Sequence, residues 1–83
     1  MPDSRRGFSS DCSTAFGAAL RALRLELGLS QESLASAAGL DRTYVGGLER
    51  GEHNPTLRVI WMLSDTLEVS PSELLRQAES RLG

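Results

Sequence analysis

The sequence predicts an all-α fold of five helices in a single domain, on three observations. Apolar residues recur with the 3.6-residue period of amphipathic helices, and no segment shows the strict alternation of a half-buried strand. Glycine, proline and small polar residues stand at the ends of the periodic segments, where helices are capped. With 83 residues, of which 40% are hydrophobic and 24% charged, the chain can close one small core and lies outside the composition range of disordered proteins.

The first helix is predicted to begin at Ser13 or Thr14. Residues 1–12 are polar, include Pro2 and Gly7 and show no period, so we expect them to form a flexible N-terminal arm ahead of a domain over 13–83. Gly28 supplies a left-handed C-cap. The apolar stripe of this helix is formed by Phe16, Leu20, Leu23 and Leu27.

The second and third helices are short. Ser30 is a good N-cap for a helix over 31–38, which Gly39 ends. Asp41 can cap a third helix from 42 to about 50, which Gly51 ends. The inward residues are predicted to be Leu34, Ala35 and Ala38 in the second helix and Val45 and Leu48 in the third.

Two further helices complete the predicted fold. The turn signal Asn54-Pro55 precedes Thr56, which can cap a fourth helix running to about residue 68. Ser70, Pro71 and Glu73 form a capping box with proline at the first helical position, so a fifth helix starts there. The apolar stripes are Leu57, Ile60, Leu63 and Leu67 in the fourth helix and Leu74, Leu75, Ala78 and Leu82 in the fifth.

The segment 30–51 has the shape of a helix-turn-helix, in which two short helices join through a glycine-containing turn. In that arrangement the second helix enters the major groove of DNA while the first crosses the backbone. Short helix pairs with glycine caps also occur in bundles that bind no nucleic acid. From its shape alone, the segment could therefore be a DNA-binding motif or a helix pair that binds no nucleic acid.

Composition narrows the other classes of function. One cysteine excludes an intrachain disulfide, and one histidine with no Cys/His cluster leaves no zinc site, so no metal or cofactor is predicted. No nucleophile–base pair or glycine-rich phosphate loop is present, which argues against an enzyme.

No apolar run approaches the ~20 residues of a membrane span, and a cytoplasmic location with no membrane partner is expected. The formal charge of −2, with nine arginines and no lysine, gives no overall basic footprint, so any DNA-binding cations must cluster on one face.

Four strings carry a family resemblance: GLSQESLA over 28–35, AGL over 38–40, LERG over 48–51 and NPTL over 54–57. With them, residues 16–75 closely resemble the phage-repressor and Cro-type (XRE-like) helix-turn-helix regulators. The string LDRTYVGGLER over 40–50 is similar to the recognition helix of restriction-modification controller proteins. The resemblance implies a lambda-repressor-like domain that regulates transcription as a homodimer on a palindromic operator in double-stranded DNA, with RNA polymerase as a further candidate partner.

Candidate DNA contacts follow from the direction of each side chain and from the resemblance. Since Val45 and Leu48 face the core, the rest of the third helix is left on or beside the exposed face. Arginine at the start of a recognition helix is well placed to bond guanine. The predicted base contacts are Arg42, Thr43, Tyr44, Gly46 and Gly47, and the predicted backbone contacts are Ser30, Gln31, Arg50, Asn54, Thr56 and Arg58.

Several of these residues have a second reading. Tyr44 could pack partly into the core, and the two glycines could reflect close approach to DNA, crowding inside the protein or simple tolerance. His53 is interpreted as a surface or phosphate-adjacent residue. Arg24 and Glu49 resemble the structural ion pair of the family and are left out of the DNA site.

The fourth helix departs from the family pattern, because Trp61 and Met62 stand where polar residues are expected. Extra apolar surface favours a homodimer interface of Trp61, Met62, Val69, Leu74 and Leu75. The alternative is that Trp61 packs under the N-terminal arm. Thr66 and Glu68 replace small residues before Val69, so a distorted corner is expected there. The rival function is an antitoxin-like module that holds another protein and binds DNA secondarily.

Overall fold

The computed structural model describes residues 8–82, and over that range it contains five α-helices and no strand. They are α1 (Phe8–Glu26), α2 (Gln31–Ala38), α3 (Arg42–Glu49), α4 (Leu57–Thr66) and α5 (Pro71–Ser80). The predicted all-α class, number and order of helices are therefore confirmed. None of the helices in this range is long and apolar enough to span a bilayer.

The start of α1 corrects the sequence prediction. The helix begins at Phe8, so residues 8–12 are not part of an arm, while residues 1–7 of the predicted arm lie outside the described residues. The Asp11 carboxylate lies in the first turn, where it interacts favourably with the positive end of the helix dipole. Asp11 and Cys12 are exposed and Ser13 is buried. The apolar period of the sequence therefore does not mark the residue at which the helix starts.

One leucine from each helix forms the centre of the core. Helix α1 packs on α3 and α5, while α2 packs on α3 and α4. The five leucines have no accessible surface, and Val45 joins them. They are Leu20, Leu34, Leu48, Leu63 and Leu74. The predicted inward residues of α2 and α3 are confirmed as buried.

Three leucines differ in burial from the sequence prediction. Leu27 follows the end of α1 and is 44% exposed, because it stands in the turn rather than on the helix. Leu57 is the first residue of α4 and is 67% exposed, because the helix meets the core only at Ile60. Leu74 is fully buried against the other helices, so its predicted role at a dimer interface is wrong.

Capping chemistry fixes the angle between α2 and α3. The Ser30 hydroxyl accepts from the Ser33 N–H at 2.9 Å, and the Asp41 carboxylate accepts from the Thr43 N–H at 3.0 Å. Gly39 adopts a φ of +75°, and the Leu40 N–H donates to the Ala35 carbonyl at 2.8 Å. Since a residue with a side chain is strained at that φ, glycine allows α3 to start after a connection of only three residues, 39–41.

An ion pair ties α3 to α1. The Arg24 guanidinium donates to both carboxylate oxygens of Glu49, from Nε to Oε2 at 2.7 Å and from Nη2 to Oε1 at 3.0 Å. Its Nη1 donates to the Leu29 carbonyl at 2.8 Å. The side chains are only 9% and 3% exposed, and the hydrogen bond to Glu49 raises the pKa of Arg24. The predicted structural ion pair is thus present, and Gly17 lets α1 approach the Glu49 backbone closely.

The corner between α4 and α5 is distorted, as the sequence predicted. Helix α4 ends at Thr66, and Glu68 has a φ of +62°, the only non-glycine residue between 8 and 82 in the left-handed region. The next helix is capped by the Ser70 hydroxyl, which accepts from the Glu73 N–H at 3.0 Å. Hydrogen bonds from Arg76 and Gln77 lower the pKa of Glu73 to about 2.

Candidate nucleic-acid interface

Helix α3 presents its amino-terminal end to solvent. Its inner face is fixed by Val45 and Leu48, which are fully buried. At 100° per residue, the opposite face of the helix is centred on Thr43. Arg42 and Thr43 are both exposed, as predicted, and their side chains are therefore available to a large partner. Their contact with DNA stays a prediction.

Tyr44 lies at the edge of this face rather than on it. Its ring is half-buried and packs against the core cluster. The other side of the ring stacks on His53, with ring centroids 5.4 Å apart and planes inclined by 27°. The structure therefore favours the reading in which Tyr44 packs partly into the core, which leaves its ring edge as the part available for a contact.

Gly46 and Gly47 lie beside the exposed face of α3 but are buried beneath other side chains, and their contact with DNA bases stays a prediction. A Cβ on Gly46 would stand 3.2 Å from Nη1 of Arg50 and 3.4 Å from Oε1 of Gln31. A Cβ on Gly47 would stand 2.6 Å from Nε2 of His53. Three side chains from outside α3 thus occupy the space that side chains at these positions would fill. Of the readings offered for the two glycines, the structure favours crowding within the protein.

Gln31 joins the outer face of α3 to the buried ion pair. Its Nε2 donates to Oε1 of Glu49 at 3.0 Å, and its Oε1 lies beside Gly46. The side chain is half-buried. A glutamine held in this way has a defined position at the start of α2, which suits a residue that must meet a fixed ligand. The link through Glu49 was not foreseen from the sequence.

Arg50 is exposed but already has a partner. Its Nε and Nη2 donate to the two carboxylate oxygens of Glu52 at 2.9 and 3.1 Å. These hydrogen bonds raise the pKa of Arg50 and lower that of Glu52. More than half of each side chain is exposed, so the pair is a weak one that a phosphate could replace. Sequence reasoning missed Glu52, although its spacing two residues after Arg50 in a turn was the available signal.

The other predicted backbone contacts lie on helix caps and on the loop before α4. The Thr56 hydroxyl accepts from the Val59 N–H at 3.1 Å, as Ser30 does at α2. Asn54 accepts a hydrogen bond from the Ser13 hydroxyl, which anchors the loop to α1. Arg58 is exposed on the first turn of α4. An anion at these helix ends would meet the remaining first-turn N–H groups together with the cap residue and, at α4, Arg58.

The charge distribution partly offsets the acidic total. Glu49 and Glu52, at the carboxyl-terminal end of α3, are neutralised by Arg24 and Arg50. At the amino-terminal end the Asp41 carboxylate caps the helix by accepting from the Thr43 N–H. Arg42 beside it and Arg58 on α4 are exposed cations. Among residues 8–82, no three His, Cys, Asp or Glu side chains are grouped to hold a metal ion. This arrangement of charges suits the binding of an extended anionic ligand.

Comparison with known proteins places these features in context. A family model described as Helix-turn-helix matches residues 20–74. The chain is 40% identical over 75 residues to control protein C.SmaI of Serratia marcescens, covering 90% of this chain and 88% of that protein.

Solved structures give the same picture. The restriction-modification controller protein C.AhdI of Aeromonas hydrophila is 52% identical, with a TM-score of 0.73 over 75% of this chain and 94% of its own. Controller protein C.Esp1396I, solved as a tetramer in complex with its natural 35-base-pair operator, is 31% identical, with a TM-score of 0.77 over 86% of this chain and 93% of its own.

Proposed function

Since this chain belongs to the helix-turn-helix family of transcriptional regulators, which are not enzymes, we propose that it binds a palindromic DNA operator as a homodimer. We further propose that it is the controller protein of a restriction-modification system. The controller relatives support both statements, and the operator complex of C.Esp1396I supports the first. A cytoplasmic location and a contact with RNA polymerase belong to the same proposal.

The observation that carries this proposal is the free amino-terminal end of α3. Arg42 and Thr43 are exposed there, while the inner face and the Glu49 end are fixed to α1 and α2. A rigid helix with an arginine near its first turn fits the major groove, where arginine bonds the O6 and N7 atoms of guanine. We assign base contacts to Arg42, Thr43 and the ring edge of Tyr44.

Backbone contacts would flank this helix and set its register. We propose that the first turns of α2 and α4 supply them, with Ser30 and Thr56 at the caps and Gln31, Arg50, Asn54 and Arg58 beside them. Such contacts add affinity for any duplex without reading its sequence. Specificity then rests on the few side chains at the amino-terminal end of α3.

Selection of bound duplexes from a random pool tests the function directly. We expect the selected sequences to share an inverted repeat whose half-sites lie about one helical turn apart, or a multiple of it, the spacing that a two-fold dimer of this fold requires. A pool that yields no enriched sequence at low ionic strength would refute the proposal. That result would favour the antitoxin-like reading, in which the fold serves to hold another protein.

The homodimer is proposed to form through α5 and the Trp61 side of α4. Trp61 is 57% exposed, and Leu57 lies one turn before it on the same helix. On α5, Leu75 is exposed and lines an apolar groove of about 600 Å³ between α1 and α5. Met62 and Val69 are half-buried beside these elements. An aromatic residue left exposed by its own core is well suited to anchor a subunit contact.

Replacing Trp61 with glutamine should weaken the dimer. Loss of a buried aromatic anchor typically reduces association by about 2 kcal/mol or more, which raises the dimer Kd at least about 30-fold. Sedimentation equilibrium measures the change. Leu25→Gln is the matched control, because Leu25 is 50% exposed on α1, and it should leave the dimer intact. Equal dimerisation of both variants and the parent would rule out this interface.

Replacing Glu52 with glutamine should tighten binding to any duplex. The change frees Arg50 from a competing carboxylate, and because an exposed ion pair is weak, affinity should rise by no more than about fivefold. The slope of log affinity against log salt should steepen by roughly one unit for each monomer. Fluorescence anisotropy across a salt series checks both. The control is Glu79→Gln, which makes the same charge change at an exposed site on α5 and should have little effect on duplex affinity. Equal changes in affinity for the two variants would argue against a phosphate contact by Arg50.

A further inference from the structure

We propose that His53 is a DNA-contacting residue of the recognition surface and that this chain takes up a proton there when it binds its operator. The inference rests on the proposed function and extends it to a side chain outside the recognition helix. Its ligand is a hydrogen-bond acceptor of the duplex, which can be a phosphate oxygen or the edge of a guanine.

The position of the imidazole carries the argument. Gly47 lies about 50° from the centre of the outer face of α3, and a Cβ on Gly47 would stand 2.6 Å from the His53 Nε2. The imidazole therefore lies where the side chain of residue 47 would project from the helix. His53 remains exposed, whereas Gly47 beneath it is buried. A helix that enters the groove through its exposed end would carry this ring with it.

The stack with Tyr44 orients the ring. The two ring planes are inclined by only 27°, so the tyrosine covers one face of the imidazole. The Cδ2–Nε2 edge lies over Gly47, and the ring as a whole stays exposed. A neutral imidazole has one N–H donor, and the imidazolium has two. The tyrosine ring also favours a cation over its face. The packing thus holds a potential second donor in place, and no acceptor for it lies among residues 8–82.

Charged groups of both signs surround His53. Glu52 lies next to it, and the pKa of Glu52 is lowered first by its hydrogen bonds with Arg50 and to a smaller extent by His53. From α1, Ser13 bonds the side chain of Asn54, the residue after His53. The ring of Tyr44 contacts the imidazole directly. A duplex adds strong negative charge to this set and therefore favours the imidazolium over the neutral ring in the complex.

The sign of the pH dependence follows. Because DNA interacts more favourably with the charged ring, the complex holds the proton more tightly than the free protein does. Affinity is then greatest at low pH, where the ring is charged in both states, and it falls as the pH rises through the range in which histidine ordinarily titrates. His53 is the only histidine in the chain, so one substitution removes this effect.

Operator affinity measured between pH 6 and pH 8 tests the proposal on the full chain. We expect a loss of about fivefold for each bound monomer as the pH rises, the change that one tenfold difference in proton affinity produces over this range. Calorimetry in two buffers of different ionisation enthalpy should show net proton uptake near pH 7. In His53→Gln, which keeps a polar side chain, the pH dependence and the uptake should both disappear.

Gly47→Ala provides a second test that leaves the histidine in place. The new methyl group must displace the imidazole, so this variant should bind with the weak pH dependence of His53→Gln while its thermal unfolding stays cooperative. Operator binding with the same pH profile in the parent and in His53→Gln would overturn the inference and leave the proposed function standing. Absence of duplex binding at every pH would instead refute the proposed function itself.

A panel of mutated operators locates the acceptor. If the affinity lost in His53→Gln is uniform across the panel, the ring meets the backbone. If the loss vanishes when one guanine is replaced, the ring reads that base. If His53→Gln binds every operator of the panel as tightly as the parent does, the ring makes no contact with DNA.

Discussion

Replacing Arg42 with alanine should reduce operator affinity by about 10- to 100-fold for each half-site, because a bidentate arginine–guanine contact discriminates by about 1–3 kcal/mol. A dimer would lose this twice, so we expect specific binding to fall close to the level of non-specific binding. Arg42 is exposed at the first position of α3, and the helix is capped by Asp41 rather than by Arg42. The fold should therefore be unaffected.

Two further variants separate base recognition from charge. Arg21 is exposed on α1, and Arg21→Ala removes the same charge at a site far along the sequence from the recognition helix. It should retain specific binding. Arg42→Lys keeps the charge but cannot form the two parallel hydrogen bonds, so it should lose specificity while keeping non-specific affinity. If Arg42→Ala and Arg21→Ala bind the selected operator equally, Arg42 has no direct role in readout.

The local chemistry of helix ends was predictable from the sequence. Ser30, Asp41, Thr56 and Ser70 each cap the helix they were predicted to cap. A cap depends on a residue and on the N–H groups two or three positions later, so the whole interaction is contained in a short string. The five helices and their order follow from these signals together with the apolar period. The start of α1 was missed because the exposed residues Asp11 and Cys12 add nothing to the apolar period that identified the helix.

The surface of the candidate site was less predictable, because side chains distant in sequence build it. A helical wheel correctly places Gly46 and Gly47 near the outer face of α3. It cannot show that Gln31, Arg50 and His53 lie across the two glycines. Leu74 and Leu75 were likewise both assigned to the dimer interface, although only the packing of α5 decides that Leu74 belongs to the core. In each case the missing information is tertiary.

Removing one partner of the Arg24–Glu49 ion pair should cost about half of the free energy of unfolding. Arg24→Met keeps the length of the side chain and leaves the Glu49 carboxylate, 3% exposed, without its guanidinium. Such a change costs about 3–5 kcal/mol because a charge stays buried without a counter-charge. At about 0.1 kcal/mol per residue, a chain of this size has a total stability near 8 kcal/mol, so about half of it would be lost. Urea unfolding followed by circular dichroism measures the loss.

Comparison with an exposed pair and with a double variant tests whether burial is the cause. Arg76→Met breaks the ion pair with Glu73 on the surface of α5 and should change stability far less than Arg24→Met does, because water screens an exposed pair. Arg24→Met combined with Glu49→Leu removes both charges, and it should recover much of the stability lost in the single variant. Equal losses from the two arginine substitutions would contradict this account.

The double variant also separates stability from function. Glu49 accepts the hydrogen bond that holds Gln31 at the start of α2, so Glu49→Leu removes this restraint even where the fold survives. We therefore expect the double variant to fold but to bind its operator several-fold more weakly than the parent, because Gln31 must then be ordered at the moment of binding. Full recovery of both stability and affinity would mean that the ion pair serves the fold alone. Recovery of stability without affinity would show that the buried charge is kept because it positions the interface.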